Sequence, residues 1–214
     1  MRVVAFCGSC HKNGNTAKTL KRVLAGAQSQ GAETEIIYLG DYHIKPCTGC
    51  RVCERTHQCT IKGDDIDPIH DAIRRADAVV AGTPTYYGDI TGLYKLFVDR
   101  CYPFVEVVRH DAKTRELVFG SILKNIKPGV MVAVSGGMGP EIFDSHRKVT
   151  SYCFNDINAY IMREVLVPYT TWTPVNEEHP VWQEAFDAGV ELAGSHYGGY
   201  RGFLPYGTPA PEDC

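Results

Sequence analysis

Two hydrophobic periods alternate along the chain. Arg2–Phe6 is a short β-branched apolar run that stops at Cys7-Gly8-Ser9. Beyond it Ala17, Leu20, Val23, Leu24 and Ala27 fall on one helical face, and Gly31 closes that helix. Thr34–Leu39 predicts a second strand. Ile66, Ile69, Ile73 and Ala76 mark a second helix leading into Ala78–Gly82. That continuous apolar run is what a central parallel strand, buried on both faces, requires. Leu93, Leu96, Phe97 and Arg100 open a third helix, and Val130–Ser135 reads as another central strand. A helix running through about Tyr160, a fifth strand at Val165–Tyr169 and a last helix at Trp182–His196 complete the pattern. This alternation predicts an α/β fold: a doubly wound, five-stranded parallel sheet with helices on both faces.

Two stretches break the pattern. Residues 46–63 show no periodicity, and residues 102–127 are too long for a simple connection. The mixed charged and apolar content of the second suggests a hairpin, or a cover over a site or subunit interface. Residues 1–198 then form one domain, and a Gly-, Pro- and Tyr-rich tail, 199–214, is expected to be extended.

Of 214 residues 44% are hydrophobic, enough for a sizeable core. The 22 Lys and Arg against 25 Asp and Glu leave a formal charge of -3, without the basic excess of a nucleic-acid or membrane-surface binder. No apolar stretch approaches the ~18 residues of a membrane span. The opening MRVVAFCGSC lacks the longer apolar region of a signal peptide, so a cytoplasmic protein is expected. Nine cysteines, an odd number, fit a closed disulfide framework poorly. Four of them, Cys47, Cys50, Cys53 and Cys59, crowd into the aperiodic segment and point to metal or cluster ligation.

Three loops carry candidate binding chemistry. Gly8–Thr16 joins a strand end to a helix start, where free N–H groups and the helix dipole favour an anion. Ser9, Asn13, Asn15 and Thr16 add side-chain donors. Neither the Walker pattern nor G-x-G-x-x-G is present, so a monophosphate fits better than a nucleoside triphosphate or a dinucleotide. In Thr83–Gly92, Pro84 stiffens the loop, Thr85 precedes the aromatic surface of Tyr86 and Tyr87, and Gly88 lets backbone groups face a ligand. The third loop begins Ser135-Gly136-Gly137. Each alone reads as a turn or a cap. Together, at strand ends of a parallel sheet, they make a natural site for a planar flavin.

The cysteine run is C-x2-C-x2-C-x5-C. Thiolates at three-residue intervals can wrap one corner of a cuboidal cluster, as in bacterial ferredoxins, and the longer spacer lets Cys59 fold back onto it. Zinc is the rival, although structural zinc sites usually join two separated pairs of ligands; a loop without metal is the third reading. His57 could replace Cys59 as a ligand but reads more simply as a solvated loop residue. Cys7, Cys101 and Cys153 read as small core residues. Asp99-Arg100 reads as a surface or helix-end pair.

GSCHKNGNT, TPTYYGDITGLYKLFVDR and SGGMGPE resemble the flavodoxin-like NADPH-dependent FMN reductase superfamily over roughly the first two-thirds of the chain. With the cysteine run, the sequence resembles the iron–sulfur flavoproteins of anaerobic archaea and bacteria. That resemblance implies FMN, a [4Fe-4S] cluster, and a homodimer or homotetramer. Cys10-His11 stands where relatives usually carry Pro-Arg, which raises the question of whether His11 takes over an arginine's phosphate contact. The leading function is electron transfer between a ferredoxin-like one-electron donor, the cluster and FMN. The alternative is an NAD(P)H-dependent FMN or quinone reductase with structural zinc or no metal at the cysteines. A non-enzymatic redox sensor is the third reading.

Overall fold

The computed structural model describes residues 1–111, 113 and 116–195. Strands β1 (Arg2–Cys7), β2 (Glu33–Tyr38), β3 (Ala78–Pro84), β6 (Lys127–Val134) and β7 (Ala159–Val167) form one parallel sheet in the order β2-β1-β3-β6-β7. This is the flavodoxin-like order, with its switch point between β1 and β3. Helices α1 (Asn15–Ser29) and α6 (Val181–Gly194) cover one face; α3 (Ile66–Arg75), α4 (Gly92–Asp99) and α5 (Asp144–Asp156) cover the other.

The apolar runs follow from this sandwich. In β1, Val3, Ala5 and Cys7 pack under α1 and α6, while Val4 and Phe6 pack under the opposite layer. In β3, Ala78 and Val80 face the first layer, Val79 and Ala81 the second. The α1–α6 layer closes down to backbone contact. A Cβ at Gly26 would stand 2.0 Å from the Phe186 carbonyl oxygen, and one at Gly189 would stand 1.9 Å from that of Val23.

Three boundaries differ from the sequence reading. Helix α5 stops at Asp156 instead of running to Tyr160, because Asn158 takes a left-handed φ of 55° and ends it. Strand β7 therefore begins at Ala159, well before Val165, and pairs with all of β6. Its opening residues, Ala159–Met162, are only half-buried and are cut off from Val165–Val167 by Arg163 and Glu164, so the pattern marks only the second half of the strand. The long connection after α4 contains an antiparallel hairpin, β4 (Val105–Asp111) with β5 (Glu116–Ser121). The aperiodic cysteine segment holds one helical turn, α2 (Cys53–Thr56). The tail, 199–214, and the last residue expected in the final helix, His196, lie outside the described residues. Among the described residues no helix is long and apolar enough to cross a membrane.

Candidate functional site

The three glycine-rich loops all leave carboxyl ends of neighbouring strands: β1, β3 and β6. They are bolted to one another by polar groups. Thr91, the N-cap of α4, accepts the Tyr94 N–H at 3.1 Å and donates its hydroxyl to the Gly8 carbonyl at 2.8 Å. Its own N–H reaches the Thr83 hydroxyl at 3.2 Å. Gly8 donates to the Gly82 carbonyl, and Thr85 donates to the Val134 carbonyl, so each loop is tied to the next strand. Thr83, Thr91 and Ser135 are all buried.

Helix α1 starts with Gly14 in extended conformation, without a side-chain cap and without an acidic residue in its first turn. Its leading N–H groups therefore remain for an anion. The hydroxyl of buried Ser9 accepts the His11 N–H at 3.2 Å and keeps its own proton to donate. His11 and Asn13 are exposed at the loop's rim; Thr16 is buried behind it. Asn15 is turned partly aside, because its side-chain oxygen accepts the Val175 N–H at 3.0 Å. In the second loop Tyr86 and Asp89 exchange backbone hydrogen bonds across Tyr87 and Gly88, both left-handed, as in a type I′ turn. That turn holds the Tyr87 ring fully in solvent. Pro84 ends β3 on the way into it, and Thr85 hydrogen-bonds His146 at 3.2 Å. In the third loop the Ser135 hydroxyl accepts the Met138 N–H at 3.1 Å. Gly136 and Gly137 lie beneath Thr171 and Trp172, where a Cβ would stand 3.0 Å and 3.6 Å from the nearest side-chain atoms.

The loop after β7 was missed by motif reading. Its Tyr169 and Trp172 rings, 6.3 Å apart, stand exposed over the third loop. The available signal was an aromatic-polar stretch, Tyr169-Thr-Thr-Trp172, at another strand's carboxyl end. His146 was also missed; burial pushes its imidazole below the ordinary histidine range.

The four clustered cysteines surround one cavity of about 600 Å³, walled on its far side by α4 and α5. The segment turns tightly, with Gly49, Arg51 and His57 left-handed. Cys47 and Cys50 are exposed, Cys59 is half-buried and Cys53 is buried. The Val52 N–H, then the Thr60 hydroxyl, draws the Cys50 thiol below its ordinary range. Burial, followed by the nearby Cys59, pushes Cys53 up. His57 is half-buried, with its Nδ1 buried and unpartnered among the described residues. Among the described residues no three His, Cys, Asp or Glu side chains are gathered to hold a metal ion. A single tetrahedral zinc, with Zn–S near ~2.3 Å, would need its thiolates within about 4 Å of one another. The four cysteines lining one cavity are the candidate ligand set for a metal or a cluster.

Arg100 corrects half of the sequence reading: it is at a helix end, as the C-cap of α4. It is not a surface residue: its side chain is 1% exposed and forms an ion pair with Asp64, itself buried. It also donates to the Lys45 carbonyl at 2.7 Å, and its backbone carbonyl meets His70 Nε2 at 2.7 Å. Burial opposes ionisation of Asp64, yet Arg100 and the Lys45 N–H hold its carboxyl below the usual range. The pair anchors the returning end of the cysteine segment beneath α4. Asp99 pairs instead with Lys95 on the exposed side of the helix.

The sheet order, the three strand-end loops and the phosphate-ready start of α1 together define a flavin-binding α/β protein. The chain belongs to the NADPH-dependent FMN reductase family, whose match covers residues 1–167. The chain is 42% identical over 100 residues to an iron-sulfur flavoprotein of Archaeoglobus fulgidus, covering 47% of this chain and 48% of that protein. It is 35% identical over 103 residues to an iron-sulfur flavoprotein of Methanocaldococcus jannaschii, covering 48% and 53%. The matched region thus spans about half the length of these relatives. Among solved structures, an NAD(P)H:quinone oxidoreductase from Methanothermobacter marburgensis shares the fold, with a TM-score of 0.66, 17% identity and coverage of 93% of this chain and 99% of that one.

Proposed function

We propose that the chain is a cytoplasmic electron-transfer flavoprotein that holds FMN at the three strand-end loops and a [4Fe-4S] cluster at Cys47, Cys50, Cys53 and Cys59. The observation that carries this reading is one cavity ringed by four thiols and walled by α4, whose other end is fastened to the flavin loops through Thr91. When bound, the cluster would supply single electrons and the FMN would accept them singly or in pairs. The N–H groups at the start of α1, with Ser9, would hold the phosphate. Tyr86, Tyr87 and Trp172 would shield the ring and exclude water from it. These rings, with Met138 and Tyr169, leave apolar surface at the rim that a second copy would cover, in keeping with a homodimer or homotetramer.

The donor is proposed to be a ferredoxin-like protein. Anaerobic purification with iron, sulfide and flavin analysis tests the cofactors, and release of stoichiometric FAD would refute the choice of FMN. Rapid mixing with reduced ferredoxin tests the route: cluster reduction should precede or accompany flavin reduction. Equal flavin reduction rates with and without the cluster would remove the relay. The second reading, an NAD(P)H-dependent FMN or quinone reductase, is favoured by the family's own description. It predicts rapid reduction by a nicotinamide in protein lacking iron.

A further inference from the structure

Resting on the cluster reading above, we infer that Arg100 is a positioning residue that sets the cluster's reduction potential by donating its Nε–H to the Cys59 side of the cysteine cavity. The two outer nitrogens of the guanidinium are spoken for. Nη1 serves Asp64 and the Lys45 carbonyl, and Nη2 faces the second Asp64 oxygen at 3.5 Å. The remaining nitrogen, Nε, is buried and its N–H has no hydrogen-bond partner among the described residues. A buried N–H without an acceptor costs stability, so its place in the cavity wall calls for one. Cys59 lies beside the guanidinium. A thiolate or sulfide in the cavity is the acceptor this geometry lacks.

The other cations of the wall cannot substitute. Arg51 and Lys95 are largely exposed and are paired with Glu54 and Asp99 on their own turns. Arg100 alone is held rigidly, because Asp64 fixes the far edge of its planar head. A donor aimed at ligand sulfur stabilises the reduced, more negative state and so raises the potential.

The test uses the anaerobically prepared full chain, titrated against potential while visible absorbance and paramagnetic resonance are followed. Arg100→Lys keeps a cation but removes the Nε–H. Its cluster should retain full iron and sulfide and become tenfold harder to reduce, a shift of about 59 mV to more negative values for one electron. Asp64→Asn keeps the Nε–H and removes a negative charge, so its potential should stay or rise. A fall in Arg100→Lys without a fall in Asp64→Asn distinguishes this role from loop loosening, which would lower both. An unchanged potential in iron-replete Arg100→Lys overturns the inference, and so does an equal fall in both variants. If Arg100→Lys takes up no cluster, the double variant Arg100→Met/Asp64→Asn, free of an unpaired buried charge, is titrated in its place and should also fall. Absence of a cluster in both, with FMN content and far-ultraviolet spectrum native, overturns the potential-setting role. Wild-type protein without iron and sulfide would refute the cluster reading itself, before any variant is made.

Discussion

The strand-end loops and the cysteine segment solve opposite problems. The loops are finished by the protein: buried hydroxyls of Thr83, Thr91 and Ser135 tie three chain segments together, and an aromatic and polar rim faces solvent. The cysteine segment is unfinished. Two of its thiols are exposed, its backbone turns through four left-handed residues, and its walls enclose open volume. It is pinned at its two ends, where the buried Arg100 holds the Lys45 carbonyl and Asp64, and at Glu54, which accepts the Tyr102 hydroxyl. A preformed site binds without first ordering its walls. An unfinished one draws on its ligand for local order. FMN is thus expected to bind protein lacking iron, whereas residues 46–63 should gain hydrogen-exchange protection only on cluster loading.

The sharpest break of this comparison is Cys→Ser at any of the four positions. Each variant should lose nearly all iron and sulfide while keeping stoichiometric FMN, read by metal and flavin analysis. Parallel loss of FMN would show that the two regions are one site. Cys59→Ser with a full cluster would shift the fourth ligand to His57.

Thr91→Val tests the other side. It removes a buried hydroxyl that both caps α4 and holds the first loop. About 1–3 kcal/mol is at stake, enough to weaken FMN binding by roughly five- to 150-fold in a fluorescence titration while iron content stays unchanged.

A control lies remote from both regions. Burial lowers Lys127 from the usual lysine value to about 8. Between pH 8 and the ordinary lysine range the unfolded chain binds more protons than the folded one, so stability should rise with pH across that window. Lys127→Met should flatten the rise and add about 1–3 kcal/mol at pH 7, measured by urea unfolding. The smallest effect is expected from Tyr87→Ala. That fully exposed ring should alter stability by less than about 0.5 kcal/mol while still loosening the flavin or a second copy of the chain.

What the sequence revealed and what it concealed follow from burial and distance along the chain. Strands β1, β3 and β6 stand out because both faces are covered and their central residues, Val3–Phe6, Ala78–Ala81 and Val130–Val134, are apolar without a break. The opening of β7 does not, although Asn158 was a legible stop signal for the helix before it. The four cysteines announce themselves by spacing, and the loops by small polar residues at strand ends. Arg100 gave no such sign. Its partner Asp64 lies 36 residues earlier, and nothing local separates a buried arginine from one at a surface helix end. Thr91 likewise meets the Gly8 carbonyl across 83 residues.

Helix α4 acts as a ruler between the two regions. Thr91 at its start touches the flavin loops and Arg100 at its end enters the cysteine cavity, with only one unbroken rod between them. At 1.5 Å per residue the rod sets Thr91 and Arg100 about 13.5 Å apart along its axis, independent of how either loop moves. It also makes length count for more than composition. One inserted residue would leave Thr91 in place, lift Arg100 by about 1.5 Å and swing it about 100° around the helix, out of reach of Asp64 and Cys59. Substitutions along the outer face of α4 should be absorbed easily. A single insertion or deletion there should uncouple the two sites while sparing the sheet.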